Sequence, residues 1–363
     1  MSDGRPLRSS SEGDVGPTWR QPVAGRLGKL GKAAIAVGAV GAVAATWELT
    51  RRRDASALEA DPGSEVLDAP LPGTPRTVVG ADGTRLAAQV AGPDDAPATV
   101  VLVHGWGMGR RYWFHQLRDL ATDLRVVAYD HRGHGASQVA WDDDHSLEAL
   151  ARDLDAVVAQ LVPDDDRPLV LVGHSMGGMT IMAAAAEHLS VVDRAGGVVL
   201  MDTGAGDLAA NVFAGLGVVE VAAKAVGVRA LRSRFPVPRR TTPISSRVVR
   251  YAAHGRGASP AAVALTEQLF LDCPADVRAA FGASLSTLDL VDALAELKVA
   301  TTVVCGSLDR LTPPRMSRRL VEELPDARLV TLEGAGHQTA AERADETTAL
   351  IREQVDRAAA ARR

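Results

Sequence analysis

The 363 residues are long enough for one large domain with a substantial core or for two smaller domains. Hydrophobic residues make up 46% and charged residues 23%, which is ordinary for a globular protein, and the net charge of -5 argues against a nucleic-acid partner. The two cysteines, Cys273 and Cys305, allow at most one disulfide bond. No cluster of cysteines and histidines has the spacing of metal ligands, so we expect no zinc site.

The N-terminal segment differs in composition from the rest of the chain. Residues 1–32 are rich in Gly, Ser, Pro and Arg and are expected to be disordered. Residues 33–50 contain an uncharged run that ends at Trp47 and is shorter than the roughly 20 residues that span a bilayer. We favour a single-pass anchor in the cell membrane. A cleaved signal peptide of an exported protein and an Ala-rich helix of a cytoplasmic protein stay open.

Downstream of this segment the pattern predicts a linker and then a folded α/β domain. Residues 51–75 are rich in proline and read as the linker. From residue 76 onward, short apolar runs without polar alternation are separated by helical stretches. This pattern is typical of a mainly parallel sheet with helices on both faces. Residues 204–291 are helical in pattern and predict a helical cap, inserted between core segments 76–203 and 292–363.

A glycine-flanked serine lies between a predicted strand at 169–172 and a predicted helix. The local sequence is G-H-S-M-G-G, with Ser175 at its centre. A serine hydroxyl is a weak nucleophile unless a nearby base removes its proton. A tight turn from strand to helix lifts the hydroxyl out of the sheet, and the glycines let the backbone pass without clashes. Ser175 is therefore the candidate nucleophile, against the alternative that it only caps the helix.

The candidate base and acid follow later strands. His337 comes after G-A-G, directly past the predicted strand at 329–332, and the glycines allow its imidazole to reach the serine. Asp309 follows the strand before that one and would hold the correct tautomer of the histidine. Asp202, at the end of an earlier strand, is the rival acid. The resulting chain order is Ser, Asp, His.

Two backbone N–H groups are candidates for an oxyanion hole. The N–H of Met176 lies at a helix start, where such groups have no partner within the helix. The second candidate is the N–H of Trp106 in H-G-W-G, after the predicted strand at 99–103. The alternative for Trp106 is a packing residue without this role.

These motifs together resemble the α/β-hydrolase superfamily, from about residue 76 to the C-terminus. The matching residues are His104–Gly107, Asp130–Ser137, Gly173–Gly178, Gly306 with Asp309, and Gly336 with His337. The resemblance implies a serine esterase or lipase-like enzyme of the actinobacterial type, in which an apolar segment precedes the domain. It also implies that no cofactor is needed and that the 130–137 stretch braces the site. The fold hosts many chemistries, so the resemblance is weak on substrate.

The sequence therefore predicts hydrolysis of a small-molecule ester or a lipid through an acyl-enzyme on Ser175. A carbon–carbon bond hydrolase, an amide hydrolase or a perhydrolase on the same triad stays open, as does an inactive scaffold or binding protein. Residues 224–256 hold nine Lys or Arg and no acidic residue. This stretch is either a solvated basic face or a contact to anionic lipid head groups or to an acidic substrate. Membrane association would use it together with residues 33–50. The largely apolar residues 212–221 are a candidate acyl-chain pocket.

Overall fold

The computed structural model of the protein describes residues 46–208, 228–229, 232–233 and 241–362. The chain divides into two compact units, Met1–Leu49 and Thr50–Arg363, and the fold below is that of the second. The segment expected to be disordered and residues 33–45 of the expected anchor lie outside the described ranges. Within those ranges no helix is both long and apolar enough to cross a membrane. The single-pass anchor therefore stays a prediction.

Eight strands form one sheet. They are β1 (Thr74–Val79), β2 (Arg85–Ala91), β3 (Thr99–Val103), β4 (Arg125–Tyr129), β5 (Leu169–His174), β6 (Ala195–Met201), β7 (Thr301–Gly306) and β8 (Ala327–Leu332). Their spatial order is β1-β2-β4-β3-β5-β6-β7-β8. β1 and β2 pair antiparallel, β2 pairs antiparallel with β4, and all remaining neighbours are parallel. The predicted mainly parallel sheet is thus confirmed.

The central strands are apolar on both faces because helices cover both sides. Every residue of β3 is buried. Its side chains alternate between two apolar clusters: Val101 and Val103 belong to one, and Val100 and Leu102 to the other. A strand of this kind shows no polar alternation in sequence, which is what made the parallel sheet recognisable.

The labelled helices surround the sheet or lie in the inserted cap. They are α1 (Glu65–Asp68), α2 (Phe114–Leu120), α3 (Leu147–Leu161), α4 (Met176–Ala186), α5 (Ser190–Arg194), α6 (Pro243–Ala253), α7 (Pro260–Asp272), α8 (Ala275–Leu285), α9 (Pro314–Glu323), α10 (Thr339–Glu342) and α11 (Ala344–Ala361). Shorter 3-10 segments are Pro62–Ser64, Arg110–Trp113 and Asp292–Glu296. α3, α4 and α9 contribute to the first apolar cluster, whereas α2 and α11 contribute to the second.

The segment predicted as a linker is more regular than expected. Within 51–75, residues 51–59 are helical, and a 3-10 turn and α1 follow. Pro62 occupies the first position of that turn, and the Asp61 carboxylate accepts the N–H of Gly63 at 2.9 Å. Val66 is buried against Phe114. Proline here starts a helical turn, which sequence composition alone does not distinguish from a flexible spacer.

The helices α6, α7 and α8 lie between β6 and β7 in the chain, within the segment predicted as a cap, and this segment is called the cap below. Residues 212–221, the candidate acyl-chain pocket, lie outside the described ranges, as does part of the basic stretch 224–256. The cap boundaries 204–291 therefore stay a prediction.

Candidate active site

Ser175 lies at the sharp turn between β5 and α4. Its backbone has φ 51° and ψ -116°, a conformation that a residue with a side chain rarely adopts. Two hydrogen bonds hold it there: Ser175 N–H donates to the Met201 carbonyl at 2.9 Å, and Thr203 Oγ1 donates to the Ser175 carbonyl at 2.8 Å. A Cβ on Gly177 would lie 2.1 Å from the carbonyl oxygen of Val103, so only glycine fits beside the turn.

The three residues that the sequence proposed as a catalytic triad are joined by hydrogen bonds. His337 Nε2 lies 3.1 Å from Ser175 Oγ, and His337 Nδ1 lies 2.8 Å from Asp309 Oδ2. The histidine and the aspartate are each only 4% exposed. Asp309 accepts at Nδ1, so the geometry assigns the Nδ1–H tautomer and leaves Nε2 as the atom that faces the serine.

The Asp309 carboxylate is fixed by its own loop. Its Oδ1 accepts the N–H groups of Leu311 at 2.8 Å and Thr312 at 2.9 Å, and its Oδ2 accepts the Thr312 hydroxyl at 2.7 Å. That hydroxyl also lies 3.1 Å from His337 Nδ1. Three donors thus stabilise the ionised carboxylate and fix its direction toward the imidazole.

Two opposing effects set the pKa of His337. Burial lowers the pKa, because the charged imidazolium is poorly solvated, but the charge and hydrogen bond of Asp309, together with the charges of Asp202 and Glu342, outweigh burial. The net result is that the pKa of His337 is raised above its ordinary value of 6.5.

Asp202, the rival acid, binds a different set of groups. Its Oδ1 accepts the Gly306 N–H at 3.1 Å, and its Oδ2 accepts both the N–H and the hydroxyl of Thr339 at 3.1 and 2.6 Å. Burial, and next the charge of Asp309, raise the pKa of Asp202 well above its usual range. The carboxyl therefore ties together the loops that carry Asp309 and His337, whereas the imidazole itself is bonded to Asp309.

Glu342 is a site residue that the sequence did not single out. Its side chain is 3% exposed, and its Oε1 accepts the N–H groups of Gly336 at 3.0 Å and Gln338 at 3.3 Å. Its Oε2 accepts the Gly255 N–H at 2.8 Å, just past the end of α6. One carboxylate thus brackets His337 on both sides and joins its loop to the cap. In sequence it is one acidic residue among several near the C-terminus.

The loop after β3 lies directly against the nucleophile. A Cβ on Gly105 would lie 3.1 Å from Ser175 Cβ. In the described chain, neither the Trp106 nor the Met176 backbone N–H has an acceptor, as an oxyanion hole requires. The indole of Trp106 donates to the Arg278 carbonyl of α8 at 3.0 Å and packs edge-on against Phe270 of α7, so this side chain connects the loop to the cap.

Buried histidines brace that loop. His104 Nε2 accepts the His131 N–H at 2.9 Å, and His134 Nε2 accepts the Gly107 N–H at 3.1 Å. Burial lowers the pKa of His104 to about 4 and that of His134 to about 3, so both side chains are uncharged at neutral pH and can accept these hydrogen bonds. These contacts join residues 130–137 to the loop after β3, as expected of a segment that braces the site.

Comparison with protein families matches residues 100–350 to the Alpha/beta hydrolase family. The chain belongs to this family. The matched residues span the strands from β3 onward, the described cap helices and the three joined side chains. The resemblance seen in the sequence is therefore confirmed for the superfamily, and the chain is a hydrolase.

Several relatives of this hydrolase act on esters. A pimeloyl-[acyl-carrier protein] methyl ester esterase of Neisseria meningitidis is 29% identical over 268 residues, covering 72% of this chain and 95% of that protein. An esterase from Thermogutta terrifontis is 26% identical with a TM-score of 0.63 and covers 79% of this chain and 99% of its own. An enol-lactonase from Burkholderia xenovorans has a TM-score of 0.61 at 24% identity, covering 77% of this chain and 100% of its own, and shows the shared fold.

Proposed function

We propose that this hydrolase cleaves carboxylic esters through an acyl-enzyme on Ser175, with His337 as general base and Asp309 as the acid that orients it. The observation that carries the proposal is the continuous hydrogen-bonded chain from Asp309 through His337 to Ser175 Oγ. The hydroxyl sits on a turn whose strained backbone is held by hydrogen bonds from the last residue of β6 and from the loop that follows it, as expected of a nucleophile on such a turn.

In the first step His337 Nε2 takes the proton of Ser175 as Oγ attacks the ester carbonyl. The carbonyl oxygen becomes an oxyanion, and the free N–H groups of Trp106 and Met176 are the proposed donors to it. The imidazolium then gives its proton to the departing alkoxide, and an acyl-enzyme remains. Water, deprotonated by the same histidine, releases the acid and regenerates the serine. Asp309 keeps the imidazole in the required tautomer and stabilises its positive charge. Protein side chains and water complete the cycle.

Esters are favoured over the other substrates of such triads by the activities of the relatives, which include a methyl ester esterase and an esterase. Cleavage of carbon–carbon bonds or amides and perhydrolysis use the same three side chains. The test must therefore distinguish ester hydrolysis from these reactions. An inactive scaffold is the alternative of another class.

The decisive assay compares p-nitrophenyl esters of graded acyl length with the p-nitroanilides of the same acids. We expect a burst of p-nitrophenol equal to the enzyme concentration, an acyl adduct on Ser175 by mass spectrometry, and faster turnover of esters than of anilides. Ser175→Ala should abolish the burst and the adduct, whereas the exposed control Ser190→Ala should retain both. Faster anilide turnover, or hydrolysis without an adduct on Ser175, would replace this proposal.

We also infer that residues 33–50 attach the hydrolase to the cell membrane. The support is the uncharged run that ends at Trp47 and is bounded by basic residues. Fractionation of cells that produce the full chain tests this attachment: the protein should pellet with membranes and resist a high-salt wash. A mature protein that begins near residue 45 would instead establish a cleaved signal peptide, and recovery of the intact chain outside the membrane fraction would contradict both.

A further inference from the structure

Helix α6 differs from an ordinary surface helix in the side chains that its outer face exposes. The hydroxyl groups of Ser245 and Ser246 point inward and bond the carboxylate of Glu267, which is 1% exposed. Its outer face carries three apolar side chains, each between 60% and 63% exposed: Ile244, Val248 and Tyr251. A helix that packs on a globular core normally buries its apolar side and exposes its polar side. α6 does bury Pro243 and Ala253, but it also turns two serine hydroxyl groups inward and leaves three large apolar side chains exposed.

The spacing of these apolar residues places them on one stripe of the helix, because residues at i, i+4 and i+7 share a face. A single exposed apolar side chain is common and needs no explanation. Three on the same stripe, above an inner face that is partly polar, indicate a surface that binds an apolar partner.

The charges around the stripe show which partner fits. Arg247 is exposed on the same helix, Arg256 is exposed just past its end, and the Arg310 guanidinium lies 4.7 Å from the centre of the Tyr251 ring. Arg247 forms an ion pair with Asp54 at 3.4 Å, and an exposed ion pair of this kind contributes little to the stability of the fold. The sequence between 224 and 256 holds no acidic residue. An apolar stripe rimmed by arginines matches the interface between the anionic head groups and the acyl chains of a bilayer.

We propose that the outer face of α6, formed by Ile244, Val248 and Tyr251 with their flanking arginines, docks the protein on an anionic lipid bilayer. This docking goes beyond the proposed function, since binding the bilayer requires no hydrolysis. The position of the helix gives the docking a consequence. The carbonyl of Ala253, the last residue of α6, accepts the His337 N–H at 2.8 Å. The docked surface therefore lies one hydrogen bond from the loop that carries the proposed base.

A fluorescent probe on the stripe tests the docking directly in the full chain. Val248→Cys introduces an exposed thiol, which is labelled with an NBD dye, whereas the native Cys273 and Cys305 are buried. The matched control is Val79→Cys, at a half-exposed position on β1, at the opposite edge of the sheet from β8. Each labelled chain is mixed with vesicles of phosphatidylcholine alone or of equal parts phosphatidylcholine and phosphatidylglycerol.

We expect the dye at position 248 to shift its emission to the blue and to brighten severalfold on the anionic vesicles, and to revert in high salt because the attraction is screened. The dye at position 79 should not respond. An unchanged dye at 248 on a chain that co-sediments with the vesicles would overturn the proposal, since another segment would be responsible. A blue shift without vesicles that grows with protein concentration would also overturn it, because two copies would then pair through α6.

A second variant combines Ile244→Gln with Val248→Gln. Glutamine is a good helix former, so α6 should persist while its apolar stripe is lost. The preference for anionic vesicles over vesicles of phosphatidylcholine alone, in which the salt-resistant attachment proposed for residues 33–50 cancels, should fall at least about tenfold, since each apolar side chain that leaves the acyl region loses its transfer free energy. Hydrolysis of a short, water-soluble ester should be unchanged. An unchanged preference for anionic vesicles would refute the docking surface, whereas absence of ester hydrolysis in the unmodified chain would refute only the proposed function.

Discussion

The carboxyl edge of the sheet and helix α6 of the cap differ in which side chains they bury and which they expose. At the sheet edge Asp309 and Asp202 are buried. Asp309 accepts three hydrogen bonds from its own loop and one from His337, and Asp202 accepts three from Gly306 and Thr339. In α6, hydroxyl groups face inward and apolar side chains face outward. The many hydrogen bonds at the edge fix its loops and can therefore hold Ser175 in a strained conformation. The outer face of α6, in contrast, exposes apolar side chains that are available to bind the proposed lipid bilayer.

The largest expected effect on kcat comes from removing the proposed nucleophile or base at the carboxyl edge of the sheet. Ser175→Ala and His337→Ala should each lower kcat by about 10⁶-fold, and the double variant should lose little more, since the residues act as one unit. Steady-state kinetics on a p-nitrophenyl ester measure this, with circular dichroism to show that the fold is retained. Losses that multiply in the double variant would mean that the two residues act independently.

The two buried carboxyls at the edge should differ in their effect on catalysis. Asp309→Asn should lower kcat by about 10⁴-fold, because the amide favours the wrong tautomer of His337. Asp202→Asn should cost stability through its bonds to Gly306 and Thr339 but lower kcat far less. The test is kcat together with the thermal midpoint of both variants. A large loss of kcat in Asp202→Asn together with a small loss in Asp309→Asn would show that Asp202 is the functional acid.

The pH profile tests the charge balance at the edge. His337 must be neutral to act as a base, and its pKa is raised, so kcat/KM should rise with pH through a midpoint above 6.5. Activity should fall about tenfold per unit of pH below that midpoint. The residual activity of Asp309→Asn should show its midpoint at lower pH, because the carboxylate that raises the pKa is gone. A midpoint that does not move would show that Asp309 does not control the ionisation.

Glu342 connects the edge to the cap, so its removal should affect both. Glu342→Gln places an NH2 group where a carboxylate oxygen now accepts backbone N–H groups. We expect a loss of about 1–3 kcal/mol in unfolding free energy and a roughly tenfold lower kcat, since the His337 loop loses its clamp. The matched control is Glu346→Gln, on the exposed side of the same C-terminal region. Equal stability and rate for the two variants would show that the clamp has no effect.

The smallest effect is expected where the cap contacts the oxyanion loop. Trp106→Phe keeps an aromatic ring beside Phe270 but removes the hydrogen bond to the Arg278 carbonyl. KM for a long-chain ester should rise about fivefold, corresponding to roughly 1 kcal/mol. The kcat for a short ester should stay the same, because the backbone N–H at 106 remains. A large fall in kcat would show that the indole itself orients the reacting groups.

The sequence allowed the sheet and the three joined side chains to be predicted because their signals are local. Continuous apolar runs mark the buried strands β5 and β7, which precede Ser175 and Asp309, whereas His337 follows the partly buried edge strand β8 and is marked by the glycines before it. Parallel strands place their carboxyl ends at the same edge, so residues far apart in sequence meet there. The bonds among them could be anticipated without knowing how the helices pack.

The remaining features depend on packing between distant segments and carry no local signal. The contact of Asp202 with Thr339 joins residues 137 positions apart, and that of Glu342 with Gly255 joins residues 87 positions apart. The inward direction of Ser245 is set by Glu267 on the next helix. An amphipathic pattern predicts that α6 has two faces, but only the position of its neighbours decides which face is buried.

The central claim is that Ser175 is an activated nucleophile, and covalent labelling tests it most directly. A fluorophosphonate probe reacts with serines whose hydroxyl a neighbouring base has activated. Mass spectrometry of the labelled, folded chain should find one adduct, on Ser175, with labelling greatly slowed in His337→Ala and absent in Ser175→Ala. An unlabelled folded chain, or an adduct on another serine at the same rate in Ser175→Ala, would contradict the account.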